Sequence, residues 1–198
     1  MIEKDISKFG FTEENIVKIA KIVSEKMHLI NEKLFIPHEI CFPPKIISEL
    51  ISKLFEKEIS EFLTIHSEYK VESAKSDRDS DLTFFKNDSE IKKIEIKVTS
   101  TDKQWTGGAL SKRPFDYILI SWSGNYDAYF IAYTFIGKKE WEDTGDNYYG
   151  PKFTVKKLKG KDKIILMGSI SGNKVIRNHI DQSKLKFISN LIGEKNNN

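Results

Sequence analysis

Ser80-Asp81-Leu82-Thr83-Phe84-Phe85 and, after a polar interval, Ile94-Glu95-Ile96-Lys97-Val98 are the two runs that decide how this chain folds. Strand side chains alternate faces with period two. Glu95 and Lys97 therefore share one side of the second run, while Ile94, Ile96 and Val98 pack on the other. Between the runs lies Lys86-Asn87-Asp88-Ser89-Glu90, a turn composition. A hairpin brings Asp81, at the start of the first strand, beside Glu95. Adjacent carboxylates repel each other unless a cation lies between them. Hard oxygen donors of this kind suit Mg²⁺, which keeps positions open for water and a phosphate oxygen.

Glu-x-Lys by itself is a weak pattern in a lysine-rich chain. Glu68-Tyr69-Lys70 and Glu90-Ile91-Lys92 also match it. Only the Glu95 copy lies inside a β-branched run preceded by an Asp-led strand. The plain reading is an exposed hairpin with a Glu/Lys face; the strand context favours a catalytic one. Ser80-Asp81, thirteen intervening residues and Glu95-Ile96-Lys97 resemble the PD-(D/E)xK nuclease superfamily, with Ser80 in place of the motif's proline. The resemblance rests directly on these residues, and on the order of elements over residues 44–137. It implies that Asp81 and Glu95 bind Mg²⁺ with help from the Ile96 carbonyl. It also implies that Lys97 orients the attacking water and offsets charge on the phosphate.

Such families often add an acidic residue from the helix before the first core strand. Pro43-Pro44 fits a helix start. Ile47, Leu50, Ile51, Leu54, Phe55, Ile59 and Phe62 then recur with helical period through Leu63. On this wheel Glu49 and Glu56 fall on the solvated side. Glu58 falls within the apolar arc and Glu61 at its margin. A carboxylate on a buried stripe is costly unless paired, which makes Glu58 the candidate for the extra acid, with Glu61 as the alternative. The bland reading of Glu58 is a rim residue paired with a lysine.

The 198 residues suffice for one domain. We divide it into a helical extension over 1–43, a catalytic core over 44–137 and a basic part over 138–192, with a disordered tail over 193–198. The expected class is α/β, a restriction-endonuclease-like core with a central mixed sheet flanked by helices. Formal net charge is +3, but residues 151–198 hold eleven Lys/Arg against three Asp/Glu, an asymmetry that fits a phosphate-backbone footprint. Lys156, Lys157, Lys159 and Lys161 would contact phosphates or form a solvated turn. The single Cys41 rules out an intrachain disulfide, and its neighbours Ile40 and Phe42 predict a buried thiol. His28, His38, His66 and His179 show no metal-ligand spacing. With no apolar run of membrane-spanning length and no leader-like start, a soluble cytoplasmic protein is expected.

Thr12 caps a predicted helix over 12–34, and Val71 to Asp79 reads as a loop. Thr99 to Pro114 has no periodicity; as a polar loop leaving the catalytic strand it offers Lys103, Gln104, Lys112 and Arg113 as DNA contacts. Asp116–Ser123 and Ala128–Ile136 read as neighbouring strands turned by Gly124-Asn125. Lys152–Leu158 and Ile164–Ile170 read as further strands, and Gln182–Ile192 as a helix. The resemblance does not identify a subfamily; we read the chain as a Mg²⁺-dependent DNA endonuclease of the type II restriction class, acting on double-stranded DNA. A homodimer would cut both strands, and a cognate methyltransferase would guard the host genome. The alternatives are a repair or junction-resolving nuclease, and a non-catalytic DNA-binding module.

Overall fold

The computed structural model describes residues 9–76, 79–100, 104–107, 115–122, 126, 128–142, 151–154, 157 and 165–168. Thr12 caps the first helix, α1 (Glu13–Ile30), by accepting the Asn15 N–H at 3.2 Å. The turn continues with wider, π-type winding over Asn31–Phe35. Pro44, tolerated in a first turn because it has no N–H to satisfy, opens α2 (Pro44–His66). Ile47, Ile51, Phe55, Ile59 and Leu63 form its buried stripe.

The strands are β1 (Lys70–Ser73), β2 (Leu82–Lys86), β3 (Ser89–Thr99), β4 (Gln104–Thr106), β5 (Phe115–Trp122), β6 (Ala128–Ile136), β7 (Lys152–Thr154) and β8 (Ile165–Gly168). Six of them form one mixed sheet in the order β1-β2-β3-β5-β6-β8. Among the described residues only the β3–β5 pair within it is parallel. A parallel pair needs a long crossover, which residues 100–114 supply. The chain is thus α/β with a central mixed sheet.

One sheet face carries Val71, Leu82, Phe84, Ile94, Ile96, Ile118, Ile120, Ile131 and Tyr133 into a single core with α1 and α2. Phe9 and Phe11 close its edge around Phe84, with ring centroids 5.6 Å away in each case. Gly10 between them has φ +81, and an added Cβ would meet Leu63 at 3.0 Å. The 1–43 segment therefore contributes directly to the core through α1. The opposite sheet face buries Tyr117, Leu119 and Phe130. It is covered by the small β4–β7 sheet, where the Trp105 indole N–H donates to the Ile120 carbonyl at 3.0 Å.

Three expectations are corrected. Residues 70–73, within or bordering the expected loop, form β1. Val71 alone carries its buried face, too short a pattern to read, and its N–H is taken by Thr64 Oγ1 at 3.0 Å. Within the aperiodic 99–114 stretch, Gln104–Thr106 is a strand. Cys41 is exposed, not buried; the local contacts are made by Ile40 against the core and by Phe42 against Phe35. The Gly124-Asn125 turn, the Gln182–Ile192 helix and the 193–198 tail lie outside the described residues.

Candidate active site

The β2–β3 hairpin turns on Asn87 and Asp88, both left-handed at φ 50 and 60. This two-residue form matches the natural twist of paired strands. The ladder then sets Leu82 opposite Ile94, which carries Asp81, the residue just before β2, to Glu95. Asp81 Oδ2 accepts the Ile96 N–H at 2.7 Å. Lys97 Nζ stands 3.2 Å from Glu95 Oε2 and 4.0 Å from Asp81 Oδ2. The three residues singled out in the sequence are therefore one cluster, with Ile96 between two of them on β3.

Glu95 is buried, with 3 % of its surface exposed. Burial first, and the Asp81 charge second, push its carboxyl above the usual range, and Lys97 opposes the shift. Its Oε1 has no hydrogen-bond partner among the described residues. A buried carboxylate oxygen left open beside a second carboxylate is a costly arrangement that a cation would relieve. Among the described residues no group of three or more His, Cys, Asp or Glu could hold a metal on its own. Magnesium does not require one: it takes one or two carboxylates, and fills the rest of its shell with water and substrate oxygens. The donors present fit that ion.

Glu58 stands elsewhere. It is buried against α1 in an ion pair with Lys26. Glu61 is exposed and paired with Lys57 at 2.7 Å. Glu56, expected on the solvated side, is buried and faces the site: its carboxyl is raised by burial and by the Asp81 charge, and lowered by Lys53 and Lys97. Lys53 holds it at 2.8 Å. The physical reason is geometric. Residues two apart lie about 200° apart around a helix, so Glu56 and Glu58 occupy opposite flanks of the Phe55 stripe. One flank meets α1; the other meets the strands that carry Asp81 and Lys97.

Gln104 lies at the start of β4, half-buried and paired in register with Thr154 rather than in an open loop. Lys103, Lys112 and Arg113 lie outside the described residues. Lys157, from the basic cluster, is 3.1 Å from Glu142. Sequence reasoning also missed Tyr117. The parallel register sets it beside Glu95, and no local pattern reveals the register of two strands separated by a crossover. Burial, then the charges of Glu95 and Asp81, push its phenol far above the ordinary value. No family model, no curated protein and no solved structure matches this chain.

Proposed function

We propose that this chain is a Mg²⁺-dependent, sequence-specific DNA endonuclease of the type II restriction class. The observation that carries the reading is the Asp81–Glu95–Lys97 cluster, with its buried, half-satisfied Glu95 carboxylate. Asp81 and Glu95 would hold the ion, together with the Ile96 carbonyl. When bound, the ion lowers the pKa of a water ligand and polarises the scissile phosphate. The Lys97 ammonium would orient the water and offset negative charge growing on the phosphate. Asp81, anchored on the Ile96 amide, keeps its position without reorganisation. As the water oxygen bonds to phosphorus, the bond to the 3′ oxygen breaks, leaving 5′-phosphate and 3′-hydroxyl ends. Cutting both strands of a palindrome suits a two-fold homodimer. A cytoplasmic enzyme of this kind would need a cognate methyltransferase in its host.

The test is incubation with unmethylated phage DNA, with Mg²⁺ or with EDTA. Discrete fragments only with Mg²⁺ are expected, and Asp81→Ala and Lys97→Ala should each abolish them while leaving the fold and most DNA binding intact. A metal-dependent smear would favour a repair or junction-resolving nuclease. Absence of cleavage on linear, branched and modified DNA, with Mg²⁺ and with Mn²⁺, would sink the reading.

A further inference from the structure

Glu95 and Tyr117 are register partners on the parallel strands β3 and β5. Their side chains therefore leave the sheet on the same face, one strand spacing apart, about 4.8 Å. Tyr117 is fully buried and Glu95 nearly so. Lys97 serves Oε2 of the carboxylate, while Oε1 has no hydrogen-bond partner among the described residues. Beside the phenol stands Trp141, its ring 5.4 Å from that of Tyr117. The acidic charges that the phenol feels are those of Glu95 and Asp81.

We infer that Tyr117 is a positioning residue, whose hydroxyl donates to Glu95 Oε1 and fixes the rotamer of that carboxylate in the engaged site. The bond forms as the site engages its cation, since hydrogen bonds at active sites commonly tighten on binding. Each carboxylate oxygen carries two lone pairs, so a phenol on Oε1 leaves room for a cation. This inference rests on the nuclease reading for its catalytic meaning, and on the register alone for the pairing.

The experiment combines two measurements on Tyr117→Phe, which removes the hydroxyl and keeps the ring. In the first, Mg²⁺-dependent cleavage should show kcat reduced roughly tenfold, the worth of one hydrogen bond, with KM unchanged. A merely structural role would not divide kcat from KM in this way. The second is a double-mutant cycle of Tyr117→Phe and Glu95→Gln in urea unfolding with Mg²⁺ present, which reads coupling whether or not the protein cleaves DNA. The expected non-additivity is several-fold in the unfolding constant. Additive effects, or an unchanged kcat in an active enzyme, would overturn the inference. Coupling in a wild-type protein that cleaves nothing would remove the nuclease reading and leave the Tyr117–Glu95 pairing standing.

Discussion

Glu56 and Glu58 show how much a single residue's surroundings decide. Both are buried glutamates on α2, each with a lysine, yet Glu56 feels the charges of Asp81 and Lys97 while Glu58 pairs with Lys26 of α1. Glu58→Gln should cost about 1–2 kcal/mol in urea unfolding and leave cleavage near wild type. Its partner Lys26 is 41 % exposed and can be resolvated, so the loss stays below that of a fully buried pair. Glu56→Gln should do the reverse, lowering cleavage roughly tenfold, as changes around a metal site's ligands do. The helical wheel made Glu58 legible as buried because one apolar stripe was visible. It misplaced Glu56 because a wheel cannot know that a second flank is also covered. The pH dependence follows from the same neighbourhood. Glu56 and Glu95 both have carboxyls raised above 4.5 in the folded protein. The folded state thus binds more protons than the unfolded one between that value and the raised ones. Their contribution is favourable below about 4.5 and is lost as pH rises through the folded values. In EDTA, Glu95→Gln should flatten the fall in unfolding free energy with rising pH and raise stability at neutral pH. A steeper fall in the variant would contradict the assignment.

At the scale of elements, the hairpin was the most legible part of the chain. Alternation on both runs and a polar turn located β2 and β3, and the two-residue Asn87-Asp88 turn is a local property of those residues. Both adopt left-handed φ, where a side chain with Cβ is strained and Asn or Asp less so than most. Asp88→Gly should therefore stabilise the protein by up to about 1 kcal/mol, and Asp88→Val should destabilise it by about 1–2 kcal/mol. Thermal unfolding of the two variants checks the pair. Strand β1 was illegible for the opposite reason: four residues with a single buried apolar side chain, Val71, give no period to detect. Strand β4 owes its place to Trp105, held by the Ile120 carbonyl. Such a long-range bond leaves no trace in the local pattern.

For the whole molecule, the class and the mixed sheet followed from the order of helices and strands, whereas the parallel β3–β5 register and the covering β4–β7 sheet did not. Those pairings join segments far apart in sequence, and the parallel register brings Tyr117 to the site. No described helix is long and apolar enough to cross a membrane. The dimer proposed for duplex cleavage predicts sedimentation at twice the chain mass at micromolar concentration; a monomer that still cuts both strands would remove that part of the proposal. The bond from the Ile96 N–H to Asp81 has a further consequence. That main-chain hydrogen is held by a side chain, so its exchange with deuterated solvent depends on one carboxylate. In Asp81→Ala the Ile96 amide should exchange faster, while Ile94 and Ile118 keep their protection. A single amide would thus report, in solution and without any substrate, whether the two ends of the hairpin have met in their native alignment.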